Sequence, residues 1–224
     1  MDPDVPCEFS LNAAEVQAIL ASSRRRDDDF SKYAPLWGGV FGWLDHGQGR
    51  WLFDAALETS PAGEVVEIGS AFGRSTICLG LGARYSKNGR VWAVDPHTGD
   101  IEVRRRMDGL EIKYSSQDGF DRNISRFGLQ GTVVKIVKTS KQAALEWEVG
   151  LGIRLAFIDG WHTYDAVKED LLLWYPSVVH DGIMAIHDYS KDDVKKAITD
   201  AMLELGEDKV EEIDANMAFM RKTN

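Results

Sequence analysis

From residue 64 onward, short apolar runs alternate with longer stretches whose apolar residues recur every three or four positions. Apolar runs of five or six residues are the mark of strands buried on both faces. The longer period marks helices packed on one side. The pattern predicts strands at 64–69, 90–95, 132–137, 154–159 and 183–188, and helices at 74–83, 119–127, 141–147, 164–174 and 192–205. The last stretch, KVEEIDANMAFMRK, holds two short alternating runs around Asp214-Ala215-Asn216 and predicts an antiparallel pair. Such alternation builds an α/β fold: a doubly wound, mostly parallel, Rossmann-like sheet of about seven strands, ending in that C-terminal pair.

Residues 1–60 lack this alternation. A helix is expected at 11–21 with Ser10 as its N-cap, and another at 50–58. Between them, residues 33–49 mix Trp and Phe with five glycines. Glycines can absorb backbone change while aromatics exclude water, so this segment is either a lid or a piece packed permanently on the sheet. The chain divides into a helical or lid extension at 1–60 and an α/β domain at 61–224.

Doubly wound sheets bind ligands beyond the carboxyl ends of their strands. The residues that end the predicted strands therefore belong to one group: Glu67 and Gly69, Asp95, residues 138–140, residues 159–162, and His187-Asp188. The first strand ends in VVEIGSAFGRST, where Gly69 and Gly73 stand four apart before a Ser/Thr-rich helix start. Glycines let backbone approach a ligand, and the helix N–H groups face its anionic part. The spacing is Gly-x-x-x-Gly rather than the Gly-x-Gly-x-x-Gly of dinucleotide sites. That favours S-adenosylmethionine (SAM), with Glu67, Gly69, Ser70, Gly73 and Ser75 around its methionine moiety. Asp95 either accepts hydrogen bonds from the ribose hydroxyls or serves as a turn residue before Pro96. Ser140 either caps the next helix or meets the adenine edge.

The second informative segment is LAFIDGWHTYD followed by IMAIHDY. Two parallel strands deliver Asp159, His187 and Asp188 to one edge. An oxygen-rich set of this kind suits Mg²⁺, and the histidine shifts it toward Mn²⁺; the alternative is hydrogen bonding to loops only. His162 follows at a loop-to-helix boundary, where an imidazole titrating near neutrality suits a general base. His97 either reaches substrate or is a turn residue. His46 and His180 read as surface. Trp161 and Tyr189 either wall a substrate pocket or simply pack.

The formal net charge of −10 argues against nucleic-acid binding, which needs clustered Lys and Arg. RRRDDD at 24–29 and the arginines 104–106 read as solvated surface. Cys7 and Cys78 are the only cysteines, so neither a disulfide framework nor a cysteine metal cage is available. Cys78 reads as a small buried thiol. The acidic N-terminus lacks the apolar stretch of a signal peptide, and no apolar run is long enough to span a bilayer. These features point to the cytoplasm, no membrane partner and a small-molecule ligand, with homo-oligomerisation left open. The sequon Asn123-Ile124-Ser125 carries no meaning in that compartment.

EIGSAFGRST and FIDGWHTYD…IHDY together resemble class I SAM-dependent O-methyltransferases over residues 64–222. Two metal-dependent groups are similar. One is the catechol type, whose FLDHW-K segment resembles FIDGWH. The other is the macrocin type acting on sugar hydroxyls, which includes the methylmannose polysaccharide 1-O-methyltransferase. The resemblance implies a seven-stranded Rossmann-like methyltransferase sheet at 61–224, with SAM bound by Glu67, Gly69, Asp95 and Ser140. It implies a divalent metal on Asp159, His187 and Asp188, and matches the catechol group's catalytic Lys to His162. His187 departs from both patterns, since the macrocin type has Asp-Asp where this chain has His187-Asp188.

The reading is metal-assisted methyl transfer from SAM to a hydroxyl. Asp159 stands beside cofactor, metal and chemistry alike, and His162 acts as base. A sugar or glycoside acceptor is favoured over a catechol, because the helix start carries His rather than Lys and the N-terminal region can shape a wider acceptor site. The rivals are an NAD-dependent oxidoreductase, which lacks its glycine fingerprint here, and a non-catalytic SAM-binding protein.

Overall fold

The structure is a computed structural model that describes residues 30–58, 60–98, 105–107, 110–112, 116–148 and 150–223. The expectations at Cys7, Ser10, 11–21, 24–29 and Arg104 lie outside the described residues.

The elements run α1 (Ala34–Trp37), α2 (His46–Leu57), β1 (Glu64–Ile68), α3 (Arg74–Ser86), β2 (Val91–Val94), β3 (Arg105–Met107), β4 (Leu110–Ile112), α4 (Ser116–Arg126), β5 (Val133–Ile136), α5 (Ser140–Leu145), β6 (Ile153–Ile158), α6 (Tyr164–Trp174), β7 (Val178–His187), α7 (Asp192–Leu205), β8 (Glu211–Asp214) and β9 (Met217–Arg221). Seven strands form one sheet in the order β5-β2-β1-β6-β7-β9-β8. The first five are parallel; β9 runs antiparallel to β7, and β8 to β9. This is the doubly wound sheet with a terminal antiparallel pair that the hydrophobic pattern predicts.

Side chains alternate between two cores, as the two-residue period of a strand requires. Val65, Leu155, Phe157 and Ala185 face one core, together with Leu52 and Phe53 of α2 and Ile77 and Leu81 of α3. Val66, Ile68, Ala156, Ile158, Met184 and Ile186 face the other, with Leu171 and Trp174 of α6 and Val194 and Ile198 of α7. Each buried aliphatic or aromatic side chain contributes roughly 1.5–3 kcal/mol.

Register sets the working edge. Ile68 pairs with Val94 on one side and with Ile158 on the other. Ile158 in turn pairs with Ile186, and His187 with Met217. Gly69, Asp95, Asp159 and the His187-Asp188 pair therefore leave the sheet side by side, around the point where strand order reverses at β1.

Three departures have physical causes. Helix α2 starts at His46, four residues before the expected 50, because Asp45 and Gln48 form a capping box that holds a first turn containing Gly47 and Gly49. Strand β7 begins at Val178 rather than 183: Ile153 pairs with Val178 and Leu155 with Ile183, so Asp181-Gly182 lies in a bulge inside the strand. The hairpin β3–β4 pairs only three residues on each strand, too short a run to show an apolar period.

The 33–49 segment packs into the first core, largely against helix α3. Tyr33, Leu36, Trp37, Val40 and Leu44 are buried in the first core. The Arg74 guanidinium lies 3.9 Å from the centre of the Trp37 ring and donates to the carbonyls of Leu44 and Val40, while Trp37 Nε1 donates to the Arg74 carbonyl. Only Phe41 and Trp43 of its large apolar residues face outward.

Candidate active site

The glycine turn is dictated by close approach. Gly69 has φ +90°, and a Cβ there would lie 2.2 Å from the Asp159 carbonyl oxygen. No side chain fits, so the turn lies directly against the backbone at Asp159-Gly160. Gly73, at φ +83°, opens α3 in the left-handed region. Between them Ala71 is also left-handed, and its N–H donates to Asp95 Oδ2 at 2.7 Å.

Glu67 is fully buried at the end of β1. The Thr76 hydroxyl donates to its Oε2. Burial pushes its carboxyl up to about 8, against the lowering effect of the Ser75 and Thr76 hydroxyls. Glu67 Oε1 and Ser70 Oγ, both buried, complete no hydrogen bond of good geometry among the described residues. Orphaned acceptors beside a helix N-terminus fit a ligand that carries both an ammonium and a carboxylate, as the methionine moiety of SAM does.

Asp95 bridges two turns. Its Oδ2 takes the Ala71 N–H and its Oδ1 takes the His97 N–H at 2.7 Å. Each oxygen keeps lone-pair capacity for a ribose hydroxyl. His97 turns inward: its Nδ1 meets Ser116 Oγ at 3.0 Å and its ring packs on Phe120. Burial, partly offset by Asp95, lowers its pKa. Ser140 does not cap α5; Thr139 does, in a capping box with Gln142. The Ser140 hydroxyl donates to buried Asp170 and accepts from Trp174 Nε1. Its proton and one of its two lone pairs are thus taken inside the protein.

Asp159, His162 and Asp188 meet at the ends of β6 and β7. Each offers one ligand atom, and the three atoms lie within 4.8 Å of one another. His162 Nε2 is 3.0 Å from Asp188 Oδ2, and Lys191 Nζ is 2.8 Å from that same oxygen. Burial acts to raise the Asp188 carboxyl, but the Lys191 hydrogen bond and the charges of His162, His187 and Lys191 outweigh it and hold the group below its ordinary value. Burial lowers the His162 pKa, with Asp188 and Asp159 opposing. Asp188 itself is held at φ +57°. The two carboxylates at this spacing fit a divalent cation that keeps some of its waters, with the His162 imidazole either completing the set or standing beside it as a base.

His187 stands beside this set rather than in it. Its Nδ1 is 3.0 Å from Asp159 Oδ1, while Nε2 is 3.3 Å from Gln48 Oε1 and 3.4 Å from Asn216 Nδ2. Both nitrogens are engaged, which differs from the ligand role expected for it. Burial acts to lower its pKa, yet the Asp159 hydrogen bond and charge, with Asp188 and Asp214, together raise it.

Trp161 is exposed beside the cluster, whereas Tyr189 packs against the second core and carries the Lys195 ammonium over its ring. His180 is exposed and pairs with Asp181. His46, also exposed, lies with its ring centre 5.6 Å from that of Phe30 and 6.3 Å from that of Trp37. Gln48, Lys191 and Asn216 escape sequence reasoning. Gln48 sits in a glycine-interrupted helix start, Lys191 in a loop, and Asn216 in a hairpin turn that β9 brings to the edge by pairing with β7.

A doubly wound sheet of this strand order, with a glycine turn after β1 and an acidic carboxyl edge, defines a methyltransferase-type fold. Residues 66–189 match the methyltransferase-domain family, and the chain belongs to that family. Among solved structures it is similar to the O-methyltransferase NovP, at 19% identity and TM-score 0.65 over 79% of this chain and 78% of that one. It is similar to the O-methyltransferase TomG from Streptomyces achromogenes in complex with SAM, at 14% identity and TM-score 0.60 over 81% and 82%. It is also similar to CalS11, a TDP-rhamnose 3'-O-methyltransferase, at 17% identity and TM-score 0.57 over 95% and 93%. At these identities the likeness is one of fold.

Proposed function

We propose that this methyltransferase transfers the methyl group of SAM to a hydroxyl of a sugar or glycoside, assisted by a divalent cation. The observation that carries the reading is the contact between Gly69 and Asp159, which puts the turn that would hold SAM against the cluster that would hold the acceptor. The outward Phe41, Trp43 and Trp161 add apolar faces on which a sugar ring can stack. Support of the same kind comes from the similarity to CalS11, which by its description acts on TDP-rhamnose.

When bound, SAM supplies an already activated methyl group and the cation lowers the pKa of the acceptor hydroxyl. Glu67, Ser70 and the N–H groups at the start of α3 bind the amino-acid end of SAM, and Asp95 accepts from its ribose. Asp159 and Asp188 hold the cation. With Asp188 engaged on the cation, His162 Nε2 would be released to take the proton of the acceptor hydroxyl; burial favours the neutral imidazole that can do so. Positioning is the protein's main contribution.

A second reading rests on Lys191, whose ammonium already neutralises Asp188. In it, Asp188 orients His162 and no cation is needed. Incubation with labelled SAM, Mg²⁺ and a panel of sugars, glycosides and catechols tests the proposal. Label should enter a sugar or glycoside, disappear with chelator and return with Mg²⁺ or Mn²⁺. Full turnover by metal-free protein would favour the Lys191 reading, and label only in catechols would overturn the acceptor class.

A further inference from the structure

Gln48 is buried, at 3% exposure, although it lies in the first turn of a helix, where a glutamine normally reaches solvent. The capping box fixes it: Gln48 Oε1 accepts from the Asp45 N–H at 3.1 Å, and the Gln48 N–H donates to Asp45 Oδ1 at 2.9 Å. The same Oε1 faces His187 Nε2 at 3.3 Å, and Gln48 Nε2 donates to Asp214 Oδ1 at 3.3 Å. Asp214 Oδ1 also takes the Asn216 N–H at 2.7 Å, and Asn216 Nδ2 lies 3.4 Å from both His187 Nε2 and Asp188 Oδ1. On the far side of the ring, His187 Nδ1 pins Asp159 Oδ1. With an acceptor in Gln48 and a donor in Asn216 beside Nε2, the ring keeps a partner there in either protonation state. The path Asp45–Gln48–His187–Asp159 joins the start of α2 to the end of β6.

We infer that Gln48 is a positioning residue for the cation site: through His187 it fixes the Asp159 carboxylate, so that helix α2 and the catalytic edge work as one unit. This rests on the cation reading above. Partners that orient a ligand carboxylate typically govern metal affinity by 10–100-fold.

The test is Mn²⁺ titration of the full chain, followed by the resonance of the free ion, with S-adenosylhomocysteine affinity and Tm measured in parallel. Gln48→Met keeps the side chain's length and removes its amide. It should weaken Mn²⁺ binding by about 10-fold, the low end of the range for a direct partner of a ligand, and leave S-adenosylhomocysteine affinity unchanged. Wild-type affinity in Gln48→Met overturns the proposal, as does a loss matched by an equal fall in S-adenosylhomocysteine affinity, since that reduces Gln48 to packing. Should Gln48→Met not fold, His187→Phe carries the same test, because it keeps a ring in the slot and removes both nitrogens; unchanged Mn²⁺ affinity there overturns the proposal. A wild-type protein that binds no Mn²⁺ overturns the cation reading itself, an outcome distinct from unchanged binding in the variants.

Discussion

Glu67 shows how one buried side chain couples pH to ligand. Its carboxyl is raised from an ordinary 4.5 to about 8, so at neutral pH the folded protein holds it protonated. The unfolded chain releases that proton near 4.5, so this group's contribution to stability is fully present below that value. It falls by about 1.4 kcal/mol per pH unit until pH passes about 8. An ammonium arriving beside Glu67 favours the ionised form. S-adenosylhomocysteine should therefore bind more tightly as pH rises toward 8, releasing a proton below it. Calorimetry in two buffers of different ionisation enthalpy reads that proton directly, and Glu67→Gln should abolish it. Proton release unchanged in Glu67→Gln would take the carboxylate out of the site. His162 is tested by separation of rate from binding. His162→Gln should lower kcat by roughly 10²–10⁴-fold and leave Mn²⁺ affinity near wild type. A matching fall in Mn²⁺ affinity would make it a ligand instead. The sequence pattern brings Asp159, His162 and Asp188 into view because each lies at or just past the end of an apolar run. It does not separate Ser140 from Thr139, or foresee where His187 turns, because those choices depend on partners remote in the chain: Asp170 and Trp174 for one, Gln48 for the other.

The elements divide by how much of their surface is buried. Strands β1 and β6 and helices α6 and α7 are legible because continuous apolar runs or a clear 3.6-residue period are needed to fill the two cores. The start of α2 is not legible, because Gly47 and Gly49 erase its period and its signal is the Asp45–Gln48 cap alone. That cap is open to test. Asp45→Ala should cost about 0.5–2 kcal/mol of stability, seen as a lower Tm. Only the Gln48 backbone N–H loses its partner, while Gln48 Oε1 keeps the N–H of residue 45, so Mn²⁺ binding should stay near wild type. Unchanged Tm would show that α2 is held by Leu52, Phe53 and the Arg154 guanidinium, which donates to the Ala55 and Ala56 carbonyls at its far end. The hairpin β3–β4 and the bulge at Asp181-Gly182 follow from pairing partners rather than local pattern, and a one-dimensional reading does not reach them.

For the whole molecule, sheet register is the organising fact. Level pairing of Ile68 with Val94 and Ile158, and of Ile158 with Ile186, turns separate strand ends into one continuous edge. The N-terminal segment then closes one side of that edge, with Phe41 against Phe72 of the glycine turn and Gln48 against His187. The central claim is that SAM and a divalent cation occupy neighbouring places on this edge. Nuclear relaxation of the SAM methyl protons by bound Mn²⁺ tests it most directly, since the effect falls steeply with distance. In the wild type, Mn²⁺ should broaden the methyl signal of bound SAM strongly. In Asp159→Asn combined with Asp188→Asn, the broadening should vanish while SAM stays bound. A sharp methyl signal in the Mn²⁺-loaded wild type, or broadening that survives in the double variant, would contradict the account.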